Sequence, residues 1–307
     1  MACYSPNIAY QHLTIKQKLK FLGRKAWTPD VSTPDHVQYK KFKDWKRLSI
    51  PCGQCVGCRL EKSRQWALRA YHEASLYEAN CFLTLTYNPE NLPQNGSIDP
   101  DAPVLFMKRL RKAFGANIRS FGCAEYGEKG GRPHYHICVF NFSFKDKVLW
   151  KEHNGQKYYT SEKLSEIWPY GYAVIGDVTF ESAAYVARYC MKKINGKKAA
   201  ETYGNKLPER AVCISRRPGL GRAWFDKFKS DVYPSDTVVV RGREMRPPKY
   251  YDRVYELENP DAYGKIKLER ELQSAKNLGN RTRDRSRAGE TIKKIKASML
   301  KRGYESN

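Results

Sequence analysis

Residues 131–140 read GRPHYHICVF, and they are the stretch from which the fold and the chemistry of the chain can be worked out. The aromatic and β-branched residues that follow the glycine and proline predict a strand. Successive side chains of a strand point to opposite faces, so His134 and His136 share one face while Tyr135 and Ile137 share the other. Two imidazoles on one face can bind a divalent ion, although such pairs also occur on sheets without a metal.

The segment before this strand predicts its hairpin partner. Residues 118–127, IRSFGCAEYG, indicate a strand, and EKGGRP at 128–133 indicates a glycine-rich turn. Antiparallel pairing would bring the carboxylate of Glu125 beside the two histidines, with Glu128 in the turn as an alternative third ligand. Two imidazoles and one carboxylate with open positions suit Mg²⁺ or Mn²⁺ when phosphate oxygens complete the coordination.

The remaining pattern predicts an α+β fold with a mainly antiparallel sheet flanked by helices. Further strands are expected in FLTLTY (82–87) and GYAVIGDVTF (171–180). Helices are expected in RLEKSRQWALRAYHEASLYEAN (59–80), PDAPVLFMKRLRKAFG (100–115), SEKLSEIWPYG (161–171) and ESAAYVARYCMKK (181–193). Residues 1–50 look polar, basic and irregular.

Two of these helices carry specific expectations. In the helix over 100–115, Gly115 marks the end, and an inner stripe is expected from Leu105, Phe106, Leu110 and Phe114. In the helix over 181–193, Ser182 is the expected N-cap.

A tyrosine pair in the last of these helices is the second chemical feature. Tyr185 and Tyr189 are four residues apart, so both hydroxyls lie on one helix face, and Lys192 follows on the same face with Lys193 beside it. A tyrosine pair at this spacing ordinarily packs on a sheet. Together with a candidate metal site in a basic protein, it also fits two nucleophiles.

The charge of the chain points to a polyanionic partner. Its 56 Lys and Arg against 32 Asp and Glu give a net charge of +24, which favours nucleic acid. We find no long apolar run, no basic amphipathic helix suited to a membrane surface and no apolar segment of a signal peptide. We therefore expect a cytoplasmic protein without membrane contact, with a basic tail from about residue 265.

The cysteines suggest a second metal site. Nine cysteines scattered over 307 residues argue against a disulfide framework. Cys52, Cys55 and Cys58 have the spacing C-x₂-C-x₂-C, and with Cys3 as a distant fourth ligand they could bind a structural Zn²⁺. Part of an iron–sulfur site and three reduced thiols in a loop are the alternatives.

Three motifs occur in an order that resembles a known superfamily. FLTLTY, PHYHICVF and YVARYCMKK follow one another as the motifs of the HUH endonucleases, the rolling-circle replication initiators, do. The segments PCGQCVGCRLEKSRQWALR and SRRPGLGRAWF look more specifically like the initiators of gokushovirus-type microviruses. The resemblance covers most of residues 1–230.

The resemblance implies a role for each motif residue. His134 and His136 match the metal-binding histidines, and Glu125 matches the acidic residue that completes the site in some members. Tyr185 and Tyr189 match the two nucleophiles, and Lys192 matches the motif lysine. The family fold has an antiparallel sheet of five strands with the histidines on a central one. Candidate DNA contacts are Lys193, Arg188, Arg216 and Arg217.

The implied activity is nicking and joining of single-stranded origin DNA through a 5′-phosphotyrosine, which leaves a 3′-OH primer. We expect a Cys-containing segment over 1–60, an endonuclease core over 61–235 and a basic extension over 236–307 that is partly helical or disordered. Because the chain has no G-x-x-x-x-G-K-[ST] motif, unwinding of supercoiled origin DNA would fall to a host helicase, with host polymerase and single-strand binding protein as further partners.

Two other functions fit parts of the pattern. The first is a non-catalytic, basic DNA-binding or packaging protein, which would bind without cutting. The second is a relaxase or transposase of the same superfamily.

Overall fold

The computed structural model describes residues 3–12, 19–23, 45–127, 130–153, 155–189, 197–277, 279 and 282–299. These residues form two compact units. The smaller unit comprises the described residues up to 61 together with those from 276 to 299, and the larger unit comprises those from 62 to 275. The division at residues 60 and 235 expected from the sequence stays a prediction.

A seven-stranded antiparallel sheet forms the centre of the larger unit. Its strand order is β10-β5-β6-β4-β9-β8-β7. The strands are β4 (Asn80–Tyr87), β5 (Arg119–Tyr126), β6 (Pro133–Phe140), β7 (Val148–His153), β8 (Gln156–Thr160), β9 (Gly171–Gly176) and β10 (Arg210–Val212). The predicted α+β class with an antiparallel sheet is confirmed. The sheet exceeds the expected five strands because the hairpin β7–β8, which the sequence pattern did not reveal, extends one edge.

Helices and a small hairpin complete the described parts of this unit. The helices are α1 (Val56–Ala74), α2 (Ala102–Phe114), α3 (Glu162–Ile167), α4 (Phe180–Tyr189), α5 (Lys197–Tyr203), α6 (Arg222–Val232), α7 (Lys249–Glu258) and α8 (Pro260–Lys276). The hairpin pairs β11 (Val238–Val240) with β12 (Arg243–Met245).

Each face of the sheet is covered by its own apolar cluster. On one face, Tyr135 and Ile137 pack with α2 and with Trp168 after α3. On the other face, Phe121 and Phe140 pack with α1 and α4. Because both faces are covered, every residue of β6 is buried, including its two histidines.

A third apolar cluster joins α1 to the helices that follow the sheet. Leu68 of α1 packs in it with Phe225, Tyr251 and Tyr263, which come from α6, α7 and α8. Although this C-terminal region is rich in lysine and arginine, its tyrosines and aliphatic residues are numerous enough to bury one face of each helix.

The smaller unit contains a three-stranded antiparallel sheet where the sequence looked irregular. Strands β1 (Asn7–His12), β2 (Leu19–Gly23) and β3 (Trp45–Ile50) pair in the order β2-β1-β3. The interpretation of residues 1–50 as irregular was therefore wrong for these strands. Helix α9 (Arg283–Ser298) also belongs to this unit.

Two details of the helices differ from the sequence prediction. Helix α4 is capped by Thr179 rather than Ser182: the amide of Ser182 donates to Thr179 Oγ1 at 3.1 Å, and the amide of Thr179 donates to Ser182 Oγ at 2.8 Å. Helix α2 ends at Gly115 as predicted, but Leu105 is 46% and Phe114 37% exposed. Met107 is buried in the stripe instead.

Gly171 gives a direct test of the sheet, because it begins β9 where no side chain fits. Its φ is +154°, and a Cβ would lie 2.7 Å from the carbonyl carbon of Tyr87 and closer still to Thr86 O and Asn88 N. We expect Gly171→Ala to lower the free energy of unfolding by about 3 kcal/mol, measured by urea denaturation. Gly264→Ala, in the open interior of α8, should leave it equal or higher; equal losses in both variants would contradict this account.

His72 predicts how stability depends on pH. Its ring is buried 3.6 Å from that of Trp224, with Nδ1 2.9 Å from the hydroxyl of Tyr251. Burial lowers the pKa of His72 to about 3. Below its ordinary pKa of about 6.5 the unfolded chain therefore takes up a proton that the folded chain refuses, so stability falls as the pH drops from that value toward 3.

Between pH 8 and pH 5, this proton should cost about 2 kcal/mol of unfolding free energy. In His72→Phe, which keeps the aromatic stacking, the loss between these two pH values should shrink by that amount. His153→Gln, at an exposed position, is the control. An unchanged pH dependence in His72→Phe would contradict the prediction.

Candidate active site

The register of β5 and β6 brings one carboxylate and two imidazoles to the same face of the sheet. Glu125 pairs directly with His134, and Cys123 pairs with His136. The ring centroids of the two histidines are 4.9 Å apart. All three polar side chains are buried, although buried positions usually exclude such groups unless they have partners.

A single carboxylate oxygen is the centre of the group. Oε1 of Glu125 lies 3.1 Å from His134 Nε2 and 2.8 Å from His136 Nε2. The hydroxyl of Tyr185 donates a hydrogen bond to the same oxygen at 3.1 Å. Among the described residues, nothing forms a hydrogen bond with the other oxygen, Oε2, although it is buried.

The outer nitrogens of both rings have partners that orient the inner ones. His134 Nδ1 lies 3.2 Å from the carbonyl oxygen of Arg132, which can only accept, so this nitrogen carries the proton. His136 Nδ1 lies 3.0 Å from Thr84 Oγ1. Both Nε2 atoms therefore face Glu125, which is the arrangement that supporting hydrogen bonds give to metal-binding histidines.

The sequence interpretation missed Thr84 and the carbonyl group of Arg132. Thr84 lies on β4, directly opposite His136 in the neighbouring strand pair. The alternation in FLTLTY places a hydroxyl on this face, but its partner follows only from the register between β4 and β6.

The charges within the group keep Glu125 ionised. Burial raises the pKa of this carboxyl, but the hydrogen bonds and the charges of His134 and His136 outweigh burial and lower it to about 2. Burial lowers the pKa of His136 and so favours its neutral form. The site thus combines a buried carboxylate with imidazole nitrogens that a cation can use as ligands.

These three side chains fit a divalent ion. Their donor atoms all lie within 4.8 Å of one another, and the set is one carboxylate and two imidazoles. The buried Oε2 of Glu125 offers a further acceptor without a partner among the described residues. Such a mixed set with few protein ligands leaves positions for water or phosphate oxygens. The alternative ligand Glu128 lies outside the described residues.

Helix α4 packs across this part of the sheet and brings Tyr185 to the group. Tyr185 is fully buried, and its ring centroid is 5.0 Å from that of His136. Tyr189 is the last residue of α4, and its side chain lies outside the described part of the structure, as do Lys192 and Lys193.

Three candidate DNA-binding residues lie within the described chain. Arg188 is half-buried on α4, whereas Arg216 and Arg217 are exposed between β10 and α6. The structure describes no contact between these arginines and Glu125.

The four cysteines singled out in the sequence form a second group, in the smaller unit. The sulfur atoms of Cys3, Cys52, Cys55 and Cys58 all lie within 4.8 Å of one another. This group and the one around Glu125 are therefore both compatible with metal binding.

Comparison with known proteins places the chain among phage proteins. A family model described as a replication-associated protein of the ORF2 type matches residues 80–194. Replication-associated protein ORF2 of Spiroplasma virus 4 is 35% identical over 302 residues, which are 92% of this chain and 89% of that protein. The chain belongs to the family of phage replication-associated proteins.

Two more members of this family show the same relation. Replication-associated protein VP4 of Bdellovibrio phage phiMH2K is 33% identical over 261 residues, which cover 78% of this chain and 80% of the relative. Replication-associated protein ORF4 of Chlamydia phage 1 is 30% identical over 246 residues, or 77% and 61%. No solved structure matches the chain. The resemblance to phage replication proteins drawn from the motifs is confirmed for the family.

The matched segment contains the whole group around Glu125. Residues 80–194 run from β4 through β5 and β6 to α4, so they include both histidines and Tyr185. In the described part of this replication-associated protein, no helix has the length and apolar character needed to cross a membrane.

Proposed function

We propose that this replication-associated protein initiates rolling-circle replication as a metal-dependent endonuclease. It nicks single-stranded origin DNA by transesterification to a tyrosine, and it later rejoins the strand. The observation that carries this proposal is the hydrogen bond from the Tyr185 hydroxyl to Glu125 Oε1, the atom that also contacts both histidines. A candidate nucleophile thus lies next to the candidate metal ligands.

The site residues would divide the work as follows. His134, His136 and Glu125 would hold Mg²⁺ or Mn²⁺, which when bound would polarise the non-bridging oxygens of the scissile phosphate. Glu125 Oε1 orients the Tyr185 hydroxyl, and Thr84 and the carbonyl of Arg132 hold the two rings in place. Fixed orientation of the reacting groups removes part of the barrier that free groups must overcome.

The reaction balances without an external energy source. The tyrosine oxygen bonds to phosphorus while the bond from phosphorus to the 3′ oxygen breaks. The phenol proton is lost and the departing 3′ oxygen gains a proton, so the products are a 5′-phosphotyrosine and a free 3′-OH. One phosphodiester is exchanged for another, so a later attack by a 3′-OH can rejoin the DNA without ATP. Meanwhile the free 3′-OH can prime a polymerase of the host.

A second tyrosine would allow the strand to be closed into a circle. Tyr189 follows Tyr185 by four residues at the end of α4, on the same face of that helix. When one tyrosine carries the DNA, the other can cut the regenerated origin. The freed 3′-OH then attacks the first ester. Lys192 would support the charge of the phosphate.

The rest of the molecule would hold the DNA and recruit host proteins. The net charge of +24 favours contacts with phosphates that weaken as salt rises. Arg188, Lys193, Arg216 and Arg217 are the candidate contacts. We propose action in the host cytoplasm on supercoiled origin DNA, with a host helicase and single-strand binding protein.

Removal of the tyrosines tests the nucleophiles. Single-stranded origin DNA labelled at its 3′ end should form a denaturant-stable adduct with the protein in Mn²⁺, because the 5′-phosphate side stays attached. Tyr185→Phe and Tyr189→Phe should each lose adduct or the release of circles. The double variant should lose adduct by at least about 10³-fold.

Tyr172→Phe, at an exposed position on β9, is the matched control and should label like the unaltered protein. Adduct in the double variant at the level of this control would refute the assignment. DNA binding without adduct in the unaltered protein would favour a non-catalytic DNA-binding protein instead.

Removal of a ligand tests the metal site. Glu125→Gln and His134→Ala should each weaken Mn²⁺ binding by at least about 100-fold, since each removes a donor atom rather than a supporting hydrogen bond. Titration calorimetry measures the Kd. His153→Ala should bind Mn²⁺ as the unaltered chain does, because His153 is an exposed residue of β7. Equal affinity in all three variants would rule out this ligand set.

A further inference from the structure

The four cysteines of the smaller unit are arranged around a common centre. Cys52 and Cys55 flank a tight turn, Cys58 lies in the first turn of α1, and Cys3 approaches from the N-terminal segment. The sulfur atoms of Cys3 and Cys55 are 3.9 Å apart, and all four sulfurs lie within 4.8 Å of one another. None of the four forms a disulfide.

These separations match the size of a single tetrahedral ion. Zinc binds thiolate sulfur at about 2.3 Å, so four sulfurs around it lie about 3.8 Å apart. An iron–sulfur cluster places several irons and sulfides between the cysteines and would hold their sulfurs farther from one another. The observed spacing therefore favours one ion over a cluster.

Backbone amides point at the sulfurs as they do around bound thiolates. The amide of Cys52 donates to Cys3 Sγ at 3.2 Å, and the amide of Tyr4 donates to Cys55 Sγ at 3.4 Å. The amides of Gln54 and Cys55 donate to Cys52 Sγ at 3.4 and 3.3 Å. Hydrogen bonds of this kind spread the negative charge of coordinating sulfur, which neutral thiols in a loop do not require.

The turn between the first two cysteines depends on a glycine. Gly53 has a φ of +73°, a conformation that side chains disfavour, and it lets the amides of Gln54 and Cys55 face one sulfur. The sequence C-G-Q-C therefore builds a turn whose amides converge on Cys52.

We propose that Cys3, Cys52, Cys55 and Cys58 bind one structural zinc ion. Four thiolates select zinc over the harder Mg²⁺ and Mn²⁺, so this site and the one around Glu125 take different metals. Four protein ligands complete a tetrahedron and leave no position for substrate, so the ion stabilises the fold and takes no part in the reaction.

The ion would fasten distant parts of the smaller unit together. Cys3 and Cys52 are separated by 49 residues, and the ion joins both to the start of α1. Tyr4, next to Cys3, packs on α9: a Cβ added to Gly289 would lie 3.3 Å from its ring. Fixing Cys3 therefore also fixes the residue that contacts α9.

Metal analysis of the full chain tests the proposal. The protein is purified with both histidines of the other site removed, as His134→Ala/His136→Ala, so that zinc bound there does not contribute. Mass spectrometry of the metals should give about one zinc per chain, and X-ray absorption at the zinc edge should show four sulfurs at about 2.3 Å. Nitrogen or oxygen ligands, bound iron with inorganic sulfide, or no metal would each overturn the proposal.

Cysteine variants in the same background give the second arm. Cys55→Ser and Cys3→Ser should lose zinc or show one sulfur fewer, whereas Cys213→Ser, outside the group, should keep one zinc with four sulfurs. Full zinc with four sulfurs in Cys55→Ser would contradict the assignment. If that variant is insoluble, the absorption spectrum of the chain with all its cysteines still decides the matter.

Discussion

The contact of one buried carboxylate oxygen with three partners is the constraint on which the candidate site depends. Glu125 Oε1 meets His134, His136 and Tyr185, and Glu125 has no exposure to solvent. An ionised carboxylate in such a place is strongly destabilising unless charged or polar partners surround it. The apolar cluster on this face of the sheet is therefore interrupted at one point, and the partners there are the groups that the proposed reaction needs.

Sheet register and helix packing together produce this contact. Glu125 stands opposite His134 only in the observed pairing, because a shift by one residue would turn the carboxylate to the face occupied by Tyr135. Tyr185 reaches the same oxygen because α4 packs over β5 and β6. Bulky apolar residues such as Phe121 and Phe140 hold that helix in place, so the core and the site are built from the same strands.

The sequence alone predicted the parts of this site that follow from local rules. Alternation along a strand put His134 and His136 on one face, and a hairpin brought Glu125 near them. The contacts of Thr84 and Tyr185 could not be predicted, since they require the order of β4, β6 and α4 in space. The strands of the smaller unit were missed because its polar, basic sequence shows no clear alternation, and β7–β8 was missed because an edge hairpin buries few residues.

The central claim is that the metal and the nucleophile meet at Glu125. A crystal structure of the protein with Mn²⁺, with anomalous difference density recorded at the manganese edge, tests it most directly. The account predicts one strong peak within bonding distance, about 2.0–2.3 Å, of Glu125, His134 Nε2 and His136 Nε2, with the Tyr185 hydroxyl beside it. Manganese bound elsewhere, with Glu125 still joined only to the two imidazoles and the tyrosine, would contradict it.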